Sequence, residues 1–311
     1  MNSYDVVVIG GGAAGLSAAL VLTRARRSVV VIDAGKPRNG PAAHMQGYLS
    51  RDGLPPHDLL VIGHQEVRSY GGEIVSGTVV ALSRLNATMF TVELATGERL
   101  TARRVLLTTG LLDELPDIPG LDKRWGRDLL HCPYCHGYEV RDHRVGVLGG
   151  TPDAVQHALL IRQWSPDVVY FPHTDILTPE QSLQLEALAV GVVHGHVSGL
   201  VVTDDVVHGV ELENGRVVAR DVVFVRPRLV PNSDLLRSLD CAVDDGGWVT
   251  VDAVGMTRTP GVWAAGNASN PRAQVITAAG EGSAAAIAIN ADLVNEDIAR
   301  AVERHLGAGR N

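Results

Sequence analysis

Aromatic residues and cysteines are scarce in this sequence of 311 residues, and long hydrophobic runs are missing. Three cysteines are too few and too unevenly spaced for a secreted scaffold held together by disulfides. The longest apolar stretch, 273–293, is interrupted by glycine, acidic and amide residues, so we do not expect it to span a membrane. The formal net charge of −8 argues against nucleic acid or an anionic membrane as the main partner.

What the sequence does contain favours a layered α/β protein with a core of small aliphatic residues. Hydrophobic residues make up 45% of the chain while aromatic residues make up 4%, so alanine, valine, leucine and isoleucine must fill the interior. The length suggests two domains. An apolar strand that begins near Tyr4 leaves no room for a signal peptide, and we therefore expect a cytoplasmic protein.

A glycine-rich loop follows the first apolar strand, Tyr4–Ile9. The loop reads Gly10-Gly11-Gly12-Ala13-Ala14-Gly15, which has the spacing G-x-G-x-x-G. In a dinucleotide-binding loop Gly10 makes the turn, Gly12 lets the backbone approach a pyrophosphate, and Gly15 lets the helix close on the strand. The N-terminus of that helix then presents free N–H groups to the phosphates.

The residues after this loop complete the pattern of a dinucleotide-binding unit. Leu16–Arg26 has helical character, and Ser28–Ile32 is a second apolar strand that ends at Asp33. A carboxylate at the tip of this strand is typical of one that binds ribose hydroxyls. A purely structural glycine-rich turn is the alternative, but it does not account for the strand, the helix and the acid together.

The same strand–loop–helix–strand order occurs again in the middle of the chain. Arg144–Leu148 runs into Gly149-Gly150-Thr151, and a helix over Asp153–Trp164 and a strand over Asp167–Phe171 follow. Repetition of one supersecondary unit predicts a second dinucleotide-binding domain.

This second copy departs from the pattern where a nucleotide would bind. Thr151 stands at the second glycine position and Ala154 at the third, so a branched side chain lies where the pyrophosphate must approach. The segment Pro172-His173-Thr174-Asp175, after the second strand, offers no arginine for a 2′-phosphate and carries negative charge. We therefore expect the second domain not to bind NADPH tightly.

Two of the three cysteines form a C-x-x-C pair in His131-Cys132-Pro133-Tyr134-Cys135-His136-Gly137. Such a pair can close to a disulfide or open to a dithiol, and the flanking imidazoles can move protons near neutral pH. A structural disulfide remains an alternative. So does a zinc site completed by His131 and His136, although no second cysteine pair supports it. For His136 a simple hydrogen bond to the backbone is the other interpretation.

Two further stretches could contact a cofactor. Pro37–Pro56 is irregular and could cover it through Asn39 and His44, although a solvated loop explains either residue alone. Near the C-terminus, a buried strand and a glycine corner over Pro260–Asn267 precede an alanine-rich helix over Arg272–Leu293. Two glycines inside that helix, Gly280 and Gly282, predict that another element packs very close to it.

Together these motifs resemble the low-molecular-weight thioredoxin reductase family over the whole chain. The carrying motifs are the first glycine loop, Thr108-Thr109-Gly110, the C-x-x-C pair, Thr259–Gly266 and Arg272–Val275. The resemblance implies an α/β fold with two Rossmann-like domains, in which residues 1–115 and 240–311 bind FAD and residues 116–239 form a degenerate NAD(P)-binding-like domain carrying the cysteines. It also implies a homodimer.

By the same resemblance, a set of residues from both ends of the chain is expected to hold FAD. Gln274 and Val275 would meet the pyrimidine side of the flavin. The complete set is Gly10, Gly12, Ala13, Ala14, Gly15, Asp33, Ala34, Arg38, Asn39, His44, Val79, Thr109, Gly110, Gly266, Asn267, Gln274 and Val275.

Three departures from the family pattern narrow the expected activity: Thr151 in the second loop, Asn267 in place of an aspartate, and His136 in place of the aspartate that thioredoxin reductases use as a proton donor. An asparagine can still hydrogen-bond the ribityl chain, so FAD is expected to be retained. The combination resembles the dithiol oxidase branch, which closes disulfides in natural products such as gliotoxin, holomycin and romidepsin, and is most similar to its bacterial holomycin-type members.

This branch implies roles for the residues of the pair. Cys132 would take a small-molecule dithiol, Cys135 would lie toward the flavin, His136 would act as base, and dioxygen would be the final acceptor, giving hydrogen peroxide. Two alternatives stay open: a thioredoxin reductase fed by NADPH or by another donor such as ferredoxin, and a flavin-binding regulatory or scaffold protein without turnover.

Overall fold

A computed structural model of the protein describes residues 2–308, in which strands and helices alternate along most of the chain. The strands are β1 (Asn2–Ile9), β2 (Val29–Asp33), β3 (Glu73–Ser76), β4 (Val79–Asn86), β5 (Met89–Leu94), β6 (Arg99–Leu107), β7 (Leu111–Glu114), β8 (Leu129–Leu130), β9 (Val145–Leu148), β10 (Val168–Phe171), β11 (Gly191–Val192), β12 (Val197–Thr203), β13 (Val206–Leu212), β14 (Val217–Ala219), β15 (Val222–Val225), β16 (Arg228–Pro231) and β17 (Val262–Ala264). The helices are α1 (Ala13–Arg24), α2 (Pro56–Ser69), α3 (Leu121–Arg124), α4 (Pro133–His136), α5 (Ala154–Ile161), α6 (Pro179–Ala187), α7 (Asp234–Arg237) and α8 (Val275–Ala308), with a 3₁₀ turn at Gly266–Ala268. Within residues 2–308, no helix has both the length and the apolar character that crossing a membrane requires.

The chain divides into two compact units. The first unit comprises Met1–Arg38, His57–Leu112 and Pro231–Asn311, and the second comprises Asn39–Pro56 and Asp113–Val230. The bounds predicted at 115 and 240 thus differ from those of the first unit by three and nine residues.

The loop Asn39–Pro56 was predicted to lie in the first domain, but it belongs to the second unit. One reason is that the loop folds on itself, with Met45 paired to Leu54. A second reason is that Pro41 lies against Gly126, where a glycine Cβ would come within 2.8 Å of the proline Cβ.

The first unit is built on a mostly parallel sheet of seven strands. Its order is β3-β2-β1-β6-β5-β4, with β17 also paired to β6. Strands β3, β2, β1, β6 and β17 run parallel, whereas β5 and β4 are antiparallel additions. The sheet has apolar layers on both faces, because Val6 and Val8 of β1 point to one layer and Val7 and Ile9 to the other. Because both faces of β1 are buried, its sequence over residues 6–9 is a continuous run of apolar residues instead of an alternation of apolar and polar ones.

Helix α8 is longer than predicted, since it continues from the expected end at Leu293 to Ala308. The extension carries acidic side chains that pair with arginines of the strands and of the segment after α1. Asp297 pairs with Arg27 at 2.7 Å and with Arg103. These ion pairs attach the last turns of the helix to the first unit.

The second unit contains a parallel sheet of five strands in the order β11-β10-β9-β15-β8 and an antiparallel sheet of three, β12-β13-β14. Strand β8 leads into the C-x-x-C segment, and β9 leads into the second glycine loop. Because β8 and β9 run parallel through β15, both segments leave the same edge of this sheet. That edge, at the carboxyl ends of the strands, is where open α/β sheets bind ligands. The predicted α/β fold with Rossmann-like units is confirmed.

Candidate active site

The first glycine loop leaves open space over the N-terminus of α1. Gly12 is the N-cap residue of this helix, and apart from its own chain neighbours no atom lies within 4 Å of the place that its Cβ would take. Gly10 has a φ of 110°, and a Cβ there would lie 2.4 Å from the carbonyl oxygen of Thr108. A Cβ on Gly15 would lie 1.9 Å from the carbonyl oxygen of Gly10. The three glycines therefore make the turn, the opening and the close helix approach that a bound pyrophosphate needs.

Asp33 lies beside this loop at the end of β2. Its Oδ1 accepts a hydrogen bond of 3.2 Å from the backbone N–H of Gly11. Ala34 follows directly, and the Asp33 carbonyl accepts from the N–H of Gly77 two residues before the buried Val79. A carboxylate held in this way against the glycine loop is placed to accept a ribose hydroxyl.

The C-terminal part of the first unit closes on the same loop. The N–H of Gly266 donates to Glu281 Oε2 at 2.9 Å, and the side-chain amide of Asn270 donates to Glu281 Oε1 at 2.7 Å. Asn267 Oδ1 accepts from Arg38 at 3.2 Å. Glu281 is absent from the predicted ligands, although a carboxylate between two glycines of an alanine-rich helix is a signal that could have indicated it.

The remaining predicted FAD ligands of the first unit lie at ends of strands or helices. Thr109 exchanges two hydrogen bonds of 3.0 Å with Asn232: its Oγ1 donates to the Asn232 carbonyl, and its own carbonyl accepts from the Asn232 amide. Gly110 follows Thr109 immediately before β7. Gln274 and Val275 are half-buried at the start of α8.

These features fit an FAD in the first unit, because an open glycine loop, a strand-end carboxylate and polar groups from both ends of the chain meet there. Ala14, in the first turn of α1, lies against Gly266, where a Cβ would approach the alanine Cβ to 3.0 Å. Asn39 and His44, which were predicted to contact the same cofactor, belong to the second unit.

Cys132 and Cys135 form a disulfide at the end of the second unit's sheet. Cys132 is the N-cap of the short helix α4, and its carbonyl accepts the N–H groups of Cys135 and His136 at 3.1 Å each. Both sulfur-bearing residues are half-buried. As a disulfide the pair offers no thiolate to a metal, and among residues 2–308 no group of three or more potential ligands could hold a metal ion.

His136 is half-buried directly after this disulfide. Burial lowers the pKa of its imidazole below the usual value, and the nearby Glu139 carboxylate partly opposes that shift. The histidine lines a cavity of about 170 Å³ together with Ala43, His44, Gln46, Gly126, Arg127, Leu130, Glu139 and Val140. A ring that is neutral at pH 7 and borders a cavity can accept a proton there.

The second glycine loop has Thr151 where the first has Gly12, and acidic side chains lie beside it. A Cβ on Gly149 would lie 2.6 Å from the hydroxyl of Tyr170 and 2.7 Å from Oδ2 of Asp175. The fully buried Tyr170 donates its hydroxyl to this carboxylate, and burial and the carboxylate together raise the pKa of the tyrosine. Asp153 and Asp175 both line the neighbouring cavity of about 230 Å³, whose lining contains no arginine or lysine. Asp153 is paired with Arg226 at 3.2 Å, so a pyrophosphate would meet the carboxylate of Asp175 and an arginine already engaged by Asp153.

The sequence matches the family model described as pyridine nucleotide-disulphide oxidoreductase over residues 4–282. The structure of a protein named HlmI superimposes with a TM-score of 0.96 at 55% identity, covering 97% of this chain and 96% of that one. The thioredoxin reductase sirT of Leptosphaeria maculans is 30% identical over 95% of this chain and 96% of its own length. A probable thioredoxin reductase of Arthroderma benhamiae is 34% identical over 55% of this chain, a match that spans less than half of that relative, 44%.

These matches confirm the resemblance that the motifs indicate. They extend through both compact units and include the first glycine loop, the cysteine pair and the start of α8. The protein is an oxidoreductase with FAD as its cofactor. The chain belongs to the pyridine nucleotide-disulphide oxidoreductase family, in its thioredoxin-reductase-like group.

Proposed function

We propose that this protein is a flavin-dependent dithiol oxidase that closes an intramolecular disulfide in a small-molecule, natural-product dithiol. The observation that carries the proposal is the contrast between its two glycine loops. The loop at Gly12 is open, whereas Thr151 stands at the equivalent position of the second loop, beside a cavity that Asp153 and Asp175 line without an arginine or lysine. Electrons from a substrate can then reach the flavin through the cysteines. The second unit offers no suitable site for a nicotinamide nucleotide that would supply electrons to the flavin instead. The similarity to HlmI over nearly the whole chain supports the same proposal, in which electrons pass from the dithiol to the flavin.

The thiol chemistry uses residues of the second unit. A substrate thiolate attacks Sγ of Cys132, the Cys132–Cys135 bond breaks, and Cys135 leaves as a thiolate. The second substrate thiol then attacks the substrate sulfur of the mixed disulfide, and Cys132 leaves. The substrate has lost two electrons and gained an S–S bond, while the enzyme disulfide has become a dithiol.

His136 supplies the base for these steps. A substrate thiol with an ordinary pKa near 8.5 is mostly protonated at neutral pH, and only the thiolate attacks. Because burial keeps the pKa of His136 low, its ring is neutral at pH 7 and can take the thiol proton. An aspartate at this position suits protonation of a leaving thiolate in a reductase, so the histidine agrees with the oxidative direction.

The residues of the first unit would hold the electron acceptor. The pyrophosphate would lie over Gly12, the ribose against Asp33, and the ribityl chain near Asn267. When bound, FAD supplies two-electron acceptance from the dithiol and transfer to dioxygen, which gives hydrogen peroxide. By resemblance we also propose a homodimer of the 33.0 kDa chain, to be tested by light scattering.

A reductase that uses NADPH or another donor is the second candidate, because several relatives bear the name thioredoxin reductase. Oxygen consumption and peroxide release by the purified holoenzyme, measured against a panel of dithiols with and without NADPH, separate the two. We expect peroxide with dithiols alone and no gain from NADPH. Anaerobic bleaching of the flavin by NADPH within seconds would establish the reductase instead.

The matched variants Cys132→Ser and Cys135→Ser test whether turnover uses the disulfide. Each removes one sulfur and conserves size, so folding and FAD binding are expected to persist while dithiol-dependent oxygen consumption stops. Unchanged oxygen consumption in both variants would contradict the proposed route. If no dithiol yields peroxide with the wild-type enzyme either, a flavin-binding protein without turnover is the remaining alternative.

A further inference from the structure

A buried histidine of α5 is bonded to the peptide that precedes the first cysteine. His157 is 5% exposed, and its Nε2 lies 2.8 Å from the carbonyl oxygen of His131. A carbonyl only accepts, so the ring donates and its proton is on Nε2. The acceptor belongs to the peptide unit whose nitrogen is that of Cys132.

The surroundings of this ring keep it neutral. Burial and the neighbouring His131 hold the pKa of His157 at about 3. The His131 ring lies 5.9 Å away between centroids, and Phe224 meets His157 edge-on at 6.0 Å. At every pH at which thiols react, the ring is therefore a fixed, uncharged donor.

Burying the His157 side chain carries a free-energy cost that burying an apolar side chain at the same position would not carry. Its Nδ1 is buried without a hydrogen-bond partner among residues 2–308. A leucine could pack against Phe224 of β15 at the same place without burying an unsatisfied nitrogen, which costs free energy. Within residues 2–308, the bond to the His131 carbonyl is the side-chain hydrogen bond that distinguishes the imidazole from an apolar side chain at this place.

We propose that His157 is a positioning residue for Cys132: its bond to the His131 carbonyl fixes the peptide before the outer sulfur and thereby favours the closed disulfide. This deepens the proposed function, because it concerns the sulfur that the substrate attacks. The plane of the 131–132 peptide sets the direction of the Cys132 backbone. Cys132 is also the N-cap of α4, with a φ of −92° and a ψ of 111°, so the bonded peptide determines where its sulfur stands relative to Cys135.

The consequence concerns the equilibrium between disulfide and dithiol. Closing the S–S bond requires both sulfurs to be held near one geometry. Without the His157 bond the peptide can rotate, so the closed state is favoured less and a reductant opens the pair more easily. Because the bond is formed in the disulfide and lost when the peptide rotates in the dithiol, removing it should raise the equilibrium constant for reduction by dithiothreitol about fivefold, the factor that corresponds to one hydrogen bond.

The test is a redox titration of the Cys132–Cys135 pair in mixtures of reduced and oxidised dithiothreitol under argon, read by alkylation and mass spectrometry. His157→Leu and His157→Asn remove the donor, since the asparagine amide is too short to reach the carbonyl. His157→Gln keeps a donor at about the same reach. We expect about a fivefold shift toward the dithiol for the first two and recovery of most of it for the third.

Ile161→Ala is the matched control, because Ile161 is 1% exposed in the same helix, packs in the same core and has no donor for the His131 carbonyl. It loosens α5 but should leave the titration unchanged. A shift in Ile161→Ala equal to that in His157→Asn would overturn the proposal, as would equal values for His157→Asn and the wild type. If His157→Leu does not fold, the comparison of the asparagine and glutamine variants decides. Because the titration uses no oxygen and no turnover, its failure is distinct from failure of the oxidase activity.

Discussion

His136 has a pKa that burial and a neighbouring charge shift in opposite directions. Burial lowers it, Glu139 raises it, and the net shift is downward. A base works in its neutral form, so the plateau of kcat/KM for dithiol oxidation should extend below pH 6.5 before it falls with further acid. We expect His136→Asn to lower kcat/KM at pH 7 by about 100-fold. The pH profile of oxygen consumption measures both effects.

Glu139 provides the discriminating variant for this prediction. Glu139→Gln removes the charge that raises the pKa of His136, so the acidic limb of the profile should move to lower pH while the plateau persists. His208→Asn, at an exposed position of β13, is the control and should leave the profile in place. An acidic limb that stays fixed in Glu139→Gln would remove His136 as the titrating base.

His157 makes the protein sensitive to acid. Its pKa is depressed to about 3 when folded, so the unfolded chain binds more protons between pH 6.5 and 3. The associated stability is present above pH 6.5 and is lost as the pH falls toward 3. Between pH 7 and pH 5 this single group should reduce the free energy of unfolding by about 2 kcal/mol.

Urea unfolding of the wild type and of His157→Gln at the two pH values measures this effect. The variant has no imidazole to titrate at this position, so it should lose about 2 kcal/mol less on acidification. The other groups facing this ring, His131 and Arg226, are present in both proteins and cancel in the difference. Equal losses in the two proteins would show that His157 is not buried in its neutral form.

The contact between α1 and α8 depends on one glycine. A Cβ on Gly282 would lie 2.0 Å from the Ala14 carbonyl oxygen, whereas a Cβ on Gly280 would meet nothing within 4 Å. The prediction of close packing is therefore confirmed for Gly282 and wrong for Gly280. Gly282→Ala should separate the helices beside the nucleotide loop, costing about 1–3 kcal/mol and weakening FAD retention. Gly280→Ala should stabilise the helix by up to about 1 kcal/mol.

Thermal unfolding and the fluorescence of released FAD read out this pair of variants. Both change glycine to alanine in one helix, so helix propensity affects them equally and only the close approach differs. A Gly282→Ala protein that melts at or above the wild-type temperature and keeps its flavin would contradict the packing argument.

Helices, strands and loops that depend on residues close together in the sequence could be predicted from it. Features that depend on contacts with residues distant in the sequence could not. The two-sided burial of β1 and the loop Gly10–Gly15 are visible in sequence because valine runs and glycine spacing act within a few residues. The end of α8 was missed by 15 residues because ion pairs such as that between Asp297 and Arg27, distant in the sequence, stabilise the extension. No periodic pattern contains that information.

The same limit applies to the candidate site. Thr151 already indicated a poor nucleotide loop, but the hydrogen bond by which Tyr170 holds Asp175 beside Gly149 appears only when β10 lies beside β9. Glu281 and His157 likewise act on backbone groups 15 and 26 residues away in sequence. Polar side chains that serve distant backbone atoms leave no local pattern, and these are the residues that sequence reasoning omitted.

At the scale of the whole molecule, the proposed chemistry is divided between two compact units with separate cores. The cysteines, His136 and His157 belong to the second unit, whereas the open glycine loop, Asp33 and the Asn267 region belong to the first. Thiol–disulfide exchange needs only sulfur and a base, while repeated turnover also needs an electron acceptor. Removal of FAD should therefore separate the two halves of the reaction.

We expect the apoprotein to oxidise one equivalent of dithiol per chain and then to stop, with Cys132 and Cys135 left reduced. Addition of FAD should restore continuous oxygen consumption. Thiols remaining after incubation with a several-fold excess of dithiol, measured with a thiol-specific dye, give the stoichiometry, and Cys132→Ser apoprotein should consume none. Continued oxidation by the flavin-free wild type would place the electron acceptor outside the first unit's loop. No oxidation at all would mean that the disulfide of the second unit cannot accept electrons without the cofactor.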